Sequence, residues 1–188
     1  MKAFLTGALL ASTFSLFAFE KLPEKYTISL GSIDAKHKIV EYFSLSCPLC
    51  LKLLKEEFPS IYTEHIAEKK IHWTFHPDPA DLSTLQLMVC LEKLPQSKRW
   101  AFFWEAVSIV KPNNASRNTF LLQELAKGFG LDVPRLYDIQ WLETTSAYKT
   151  AYTYLKQGDT PKALPAIEVD GAFHEKALPN QELIGDLL

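Results

Sequence analysis

Cysteine is scarce in this chain: there are three in 188 residues, and two of them stand only three positions apart. A domain of this length stapled by disulfides would carry more bridges at wider spacing, so a disulfide framework is excluded as its source of stability. Positive charge is not in surplus either, since 20 Lys and Arg against 22 Asp and Glu leave a formal net charge of -2. No Lys/Arg-rich run alternates with aromatics, which excludes the electrostatic footprint of a nucleic-acid binder. A second Cys-X-X-Cys is absent, the five histidines show no ligand spacing, and no internal repeat or low-complexity linker interrupts the chain. What is there is 47% apolar, enough to bury the core of one domain, or of one domain with an insertion.

The first residues, MKAFLTGALLASTFSLFAFE, carry one positive charge, then an uncharged run of apolar and small residues, then Ala18 ahead of the first acid. That is the pattern of a signal peptide cleaved after Ala18. An uncleaved anchor is the alternative, but the run is short for spanning a bilayer and is broken by Gly7 and several Ser and Thr. No cysteine follows it to take a lipid. The mature protein is therefore expected to be exported, periplasmic or otherwise, and soluble, in a compartment where disulfides persist.

From Lys38 to Phe43 the chain is β-branched and aromatic on both alternating faces, as a central strand covered on both sides would be. Leu53, Leu54, Phe58, Ile61, Tyr62 and Ile66 then recur at helical spacing to about Ala67, with Pro59 as a kink. Ile71, Trp73 and Phe75 alternate with His72 and Thr74 in a second strand, which His76-Pro77-Asp78-Pro79 stops. Together these make a βαβ unit. Between about Ala80 and Leu155 only helical patterns occur: Leu82, Leu85, Val89 and Leu94; a helix capped by Ser97 with Trp100, Phe103, Trp104 and Val107; Leu121, Leu122 and Leu125 up to Gly128 and Gly130; a stretch from Asp132 through Trp141; and a last helix before Gly158. Strand signal returns at Ala166 to Val169, turns through Asp170-Gly171 and runs from Ala172 to His174. Asn180 can cap a short terminal helix bearing Leu183, Ile184 and Leu187.

The chemistry concentrates in VEYFSLSCPLC. A cysteine pair of this spacing at the start of a helix puts the first sulfur at the helix N-terminus, where free N–H groups and the dipole favour a thiolate, so Cys47 is the expected nucleophile. Pro48 suits the first helical position, and Cys50 lies in the first turn as the resolving thiol, able to close a redox-active disulfide with Cys47. Two other readings exist. A zinc site would have to recruit Cys90 or scattered histidines such as His65, His72 or His76, and a purely structural disulfide over so tight a loop would stabilise little. Glu41, six residues before Cys47 on the buried strand, would lie beneath the active-site helix, where a desolvated carboxyl of raised pKa can accept or relay the Cys50 proton. Its bland counterpart is a glutamate leaning to the sheet edge to pair with a lysine. At Leu164-Pro165, proline interrupts the start of a strand. That is either a simple strand-initiating proline or a cis proline whose loop offers backbone groups to an extended substrate beside Cys47. Cys90 reads as a buried small hydrophobe within a helical stripe, and Trp100, Phe102, Phe103 and Trp104 as core of the helical block. Asn114-Ala115-Ser116 matches a glycosylation acceptor, though a loop reading suffices.

Taken together, V-E-Y-F-S-L-S-C-P-L-C and A-L-P-A-I-E-V-D-G resemble the thioredoxin superfamily, and the inserted helices make the chain look like the DsbA family of exported thiol-disulfide oxidoreductases. The resemblance implies an α/β chain with a thioredoxin-like fold and an inserted all-helical subdomain. The expected division is a signal peptide at 1–18, a thioredoxin-like domain at 21–79 and 158–188, and the helical insertion at 80–157. It further implies Cys47 and Cys50 as the redox pair, Glu41 as the buried acid and Pro165 as the cis proline preceded by Leu164, with Pro48, Leu49, Leu164 and Pro165 touching substrate. No cofactor or metal is implied. The partners would be reduced or unfolded secreted proteins and a DsbB-like, quinone-linked membrane protein that recharges the pair; nucleic acid is not among them. One departure matters: Leu49 stands where the best known members carry histidine, so the Cys47 thiolate loses a cation and donor and the protein is expected to be a weaker oxidant. The short segment before Ile39 leaves no room for the dimerisation domain of the isomerases, so a monomer is expected. A periplasmic reductase or isomerase-like repair enzyme is the alternative, and a binder of unfolded chains or a soft metal the third reading.

Overall fold

The computed structural model describes residues 21–133, 135–158, 160–175 and 184–185. The expected signal peptide and the Asn180 cap lie outside them, as do Leu183 and Leu187; Ile184 is helical and buried. Among the described residues no helix is long and apolar enough to cross a membrane.

Five strands form one sheet in the order β1-β3-β2-β4-β5: β1 (Ile28–Leu30), β2 (His37–Phe43), β3 (Ile71–Pro77), β4 (Ala166–Val169) and β5 (Ala172–Glu175). β2 runs parallel to β3 with Glu41 opposite Phe75, and antiparallel to β4 with Glu41 opposite Ile167. The strand is thus central, and its Ile39 and Phe43 pack into the main core while Val40 and Tyr42 pack into a cluster on the other face, which is why it tolerates apolar residues on both. Asp170 and Gly171, at φ 48° and 86°, make the tight turn between β4 and β5. A left-handed pair is what that two-residue hairpin demands.

Two strand expectations change. β1 was not anticipated, because three residues are too few to establish an alternation, although Ile28 is buried and Leu30 packs against the same core. β3 also continues through His76 and Pro77, which the sequence reads as its stop; Pro77 is the last residue of the strand, and the Asp78 N–H, not a Pro77 N–H, reaches the Phe43 carbonyl at 2.8 Å.

After β2 comes α1 (Pro48–Glu56), then α2 (Phe58–Ile61) with Pro59 in its first turn, then a π-helical turn at Tyr62–Ile66. The single kinked helix expected here is divided at Glu57, two residues before the proline that lacks a helical donor. Between β3 and β4 lie α3 (Leu82–Lys93), α4 (Gln96–Ile109), α5 (Ala115–Gly128), α6 (Ile139–Thr144) and α7 (Ser146–Gln157). The expected Ser97 cap is corrected: Pro95 is the N-cap of α4 without a side-chain bond, and Ser97 lies inside the first turn. The stretch from Asp132 is helical only from Ile139, where the Asp138 carboxylate accepts the Trp141 N–H.

α3 is buried at every residue from Ser83 to Leu91. Its polar groups are paired as such burial requires, with Gln86 Nε2 donating to Thr119 Oγ1 at 2.9 Å and to the Leu136 carbonyl at 2.6 Å. The inserted helices and the sheet share one apolar cluster. Phe103 of α4 meets Phe43 edge-on at 5.2 Å between ring centroids and Phe75 at 4.9 Å. A second, smaller cluster of Val40, Tyr42 and Ala166 covers the other face.

Candidate active site

Cys47 is the N-cap of α1, with φ -81° and ψ 115°, and its Sγ accepts the Cys50 backbone N–H at 3.1 Å. A cysteine here does what Ser or Asp does at other helix starts, satisfying an orphan donor with a sulfur that gains from being negative. Pro48 opens the helix, where its missing N–H costs nothing. Both Pro48 and Leu49 are exposed, and Cys50 is wholly buried. The two sulfurs are free thiols in this structure.

The tertiary fold adds a partner from 117 residues away: the Cys47 thiol lies 3.7 Å from the carbonyl of Leu164, the residue that precedes Pro165. The Leu164–Pro165 peptide is cis. Cys47, Cys50, Leu164 and Pro165 are therefore assembled at one point, where β4 begins beside the head of α1.

The two thiols are driven apart in acidity. Cys47 is lowered to about 6, first by the hydrogen bond from the Cys50 side chain, then by the backbone N–H groups of Cys50 and Leu49, against the opposing effects of desolvation and the Asp81 charge. Cys50 is raised, by that same hydrogen bond and by burial. One sulfur is thus a thiolate at neutral pH and its neighbour a proton-bearing donor, which is the asymmetry that separates attacking from resolving thiols.

Glu41 has no solvent exposure. β2 is central, so its side chain does not reach a sheet edge; Oε2 instead accepts the Trp73 Nε1–H at 3.2 Å, and Oε1 is buried with no partner. Desolvation pushes the carboxyl up to about 8, with the Trp73 bond pulling down and the charges of Glu57 and Cys47 adding to the rise. Its charge in turn raises Cys50. A group that holds a proton at neutral pH and feels the resolving sulfur can pass that proton to it.

Sequence reading missed a set of polar residues behind Cys47. Asp81, the N-cap of α3, receives hydrogen bonds from Ser44 and Ser46, the residues that lead into Cys47. The spacing Asp81-Leu-Ser-Thr84 is a cap signature that would have marked the start of α3, though not its contact with the loop. Trp73 was assigned only to a strand; its indole is the partner of Glu41. Cys90 is buried and its thiol pushed up to about 12 by desolvation. Among the described residues no group of His, Cys, Asp and Glu is placed to hold a metal ion. A recess of about 570 Å³ lies on the sheet face opposite Glu41, lined by Lys38, Val40, His72, Thr74 and Glu168. It is remote from the chemistry at Cys47, and an extended protein substrate needs an open edge more than a deep pocket.

Comparison with solved structures finds the same architecture elsewhere. BdbD from Bacillus subtilis, in its oxidised form, is 20% identical, with a TM-score of 0.69 over 90% of this chain and 95% of that one. Alpha-DsbA1 of Wolbachia pipientis is 20% identical, with a TM-score of 0.64 over 88% and 91% of the two chains. DsbA of Chlamydia trachomatis is 19% identical, with a TM-score of 0.58 over 85% and 88%. Identities this low carry the fold alone. Among curated proteins none matches the sequence. A sequence profile described as thioredoxin, however, matches residues 24–184. That span begins before β1 and ends beyond β5, taking in the cysteine pair and the inserted helices alike, and by it this chain belongs to the thioredoxin family.

Proposed function

We propose that this protein is an exported thiol-disulfide oxidoreductase of the DsbA kind, which introduces disulfides into secreted proteins through its Cys47-Pro48-Leu49-Cys50 site. The observation that carries the proposal is the pair of divergent thiols at the head of α1, with the Cys47 sulfur at 3.7 Å from the Leu164 carbonyl. In the oxidised protein a substrate thiolate attacks Cys47 Sγ. The Cys47–Cys50 bond breaks, Cys50 leaves with the electron pair, and Glu41 gives it a proton. A second substrate thiolate then attacks the substrate sulfur of the mixed disulfide, closing the substrate's own disulfide and releasing Cys47 as its stabilised thiolate. Two electrons remain on the enzyme pair. Turnover needs a thiol-oxidising partner to remove them, for which a quinone-linked membrane protein is the class implied.

Leu49, Pro48, Leu164 and Pro165 are the substrate contacts in this reading, with an extended segment passing the partly exposed Leu164 just ahead of β4. A Cys47 pKa of about 6 falls between the thioredoxin value of about 7 and the DsbA value of about 3.5, which supports an oxidant weaker than the Pro-His type. The same number favours a second reading, a reductant or repair enzyme fed by an electron donor. Export and the monomeric state remain part of the proposal.

The deciding experiment is the reduction potential of the pair in a glutathione series. A value above about -200 mV supports net oxidation, and one near about -270 mV withdraws it in favour of the reductant. Turnover of a dithiol substrate that survives Cys47→Ser would sink both.

A further inference from the structure

Resting on the reading of Cys47 and Cys50 as a redox pair, we propose that Asp81 is a positioning residue of this site: from the head of the helical block it fixes the loop that presents Cys47, and its charge sets how oxidising the pair is. The geometry is specific. Asp81 Oδ1 accepts the Ser46 hydroxyl at 2.8 Å and the Thr84 N–H at 3.0 Å. Its Oδ2 accepts the Ser44 hydroxyl at 2.6 Å and the Thr84 hydroxyl at 2.5 Å. Thr84 Oγ1 in turn accepts the Leu45 N–H at 2.8 Å, and the Ser44 hydroxyl accepts the Ser46 N–H at 3.0 Å. All three residues between β2 and Cys47 are therefore tied, directly or through Thr84, to one carboxylate on an inserted helix.

That carboxylate does two jobs of different character. As an N-cap it holds α3, whose burial on all sides leaves it no freedom to shift, so the loop inherits the rigidity of the helical core. As a charge it opposes the build-up of negative charge on Cys47, in the sense already noted for the thiol's acidity. A less favourable thiolate makes the reduced form less stable and the pair less oxidising. The four donors that converge on Asp81 spread its charge and limit that effect.

The test uses the full mature chain and measures both the pH midpoint of Cys47 alkylation by iodoacetamide and the equilibrium with glutathione. Asp81→Asn keeps a good capping residue and removes the charge. Its alkylation midpoint is expected below that of the unaltered protein, and its glutathione equilibrium should move toward the dithiol form by about three- to tenfold, tenfold being about 30 mV for a two-electron couple. Ser46→Ala, which strips one donor from the carboxylate, should move both readings the opposite way. Asp81→Glu, which restores the charge, should return them toward the original values. Unchanged readings in Asp81→Asn, or the same direction in Asp81→Asn and Ser46→Ala, would overturn the proposal, the second outcome meaning mere loosening of the loop. If Asp81→Asn does not fold, the sign of the Ser46→Ala shift decides alone. A wild-type protein that never equilibrates with glutathione would end the redox reading instead, and the alkylation midpoints would still report whether Asp81 acts on Cys47.

Discussion

Trp73 donates its indole N–H to Glu41 Oε2 at 3.2 Å from the neighbouring strand, with no solvent on either residue. Trp73 is paired in register with Ile39, so the two meet diagonally on one face of the sheet. One donor to one oxygen is poor compensation for a buried carboxylate, and the other oxygen has none. The group therefore stays protonated to about pH 8, and it feels the charge of Cys47.

Glu41→Gln keeps an acceptor for Trp73 and removes the transferable proton. Oxidation of a dithiol substrate at pH 7 is expected to slow by about a hundredfold, the low end of what a positioned acid supplies, with no drop in the denaturation midpoint. Stopped-flow rates measure it, and an unchanged rate would take Glu41 out of the mechanism.

The same carboxyl predicts how stability depends on pH. Its folded pKa of about 8 is above the ordinary glutamate value of 4.5, so between those values the folded protein keeps a proton that the unfolded chain has lost. The stability contributed by this group is complete below about 4.5 and declines as pH rises toward about 8, by up to about 1.4 kcal/mol per pH unit. Urea unfolding of the disulfide form from pH 5 to 9 should show the decline, flattening above about 8. Glu41→Gln should lack that component, and identical slopes in the two proteins would contradict the buried neutral acid.

Leu49 is 47% exposed in the first turn of α1, two residues after Cys47 and separated from it by Pro48. Leu49→His supplies the donor and partial cation that the leucine withholds. The alkylation midpoint of Cys47 should fall and the reduction potential rise, both read in the same glutathione series used for the parent. A potential that does not move would show that residue 49 is not what limits the oxidant.

Phe103 joins the inserted helices to the sheet through Phe43 and Phe75. Phe103→Ala should cost about 3–5 kcal/mol, the usual range for emptying a buried aromatic site. Because the core is continuous, chemical denaturation should remain a single transition by both tryptophan fluorescence and circular dichroism. Two separated transitions would mean that the helical block and the sheet are independent cores.

Much of this was legible early because the signals are local. Cys47-Pro48-Leu49-Cys50 reads as a helix start from spacing alone, since a proline at the first helical position and a sulfur at the cap are requirements of one turn of backbone. Asp170-Gly171 announces its hairpin for the same reason, being two residues that accept positive φ. β1 gave no such signal. It is a strand because β3 offers it an edge, with Ile28 opposite Phe75, and not because three residues have any preference of their own.

The sequence by itself determined a cysteine pair at the start of a helix, the central strand with its single carboxylate, and the helical character of the insertion. Each follows from a period or a spacing within about a dozen residues. Only the tertiary structure decided what those groups feel. Leu164 reaches Cys47 across 117 residues, Trp73 comes to Glu41 from the next strand, and Asp81 closes on Ser44 and Ser46 from an inserted helix. Acidity is set by burial and by whichever charges and donors the fold brings within a few ångströms, and neither can be read from distance along the chain.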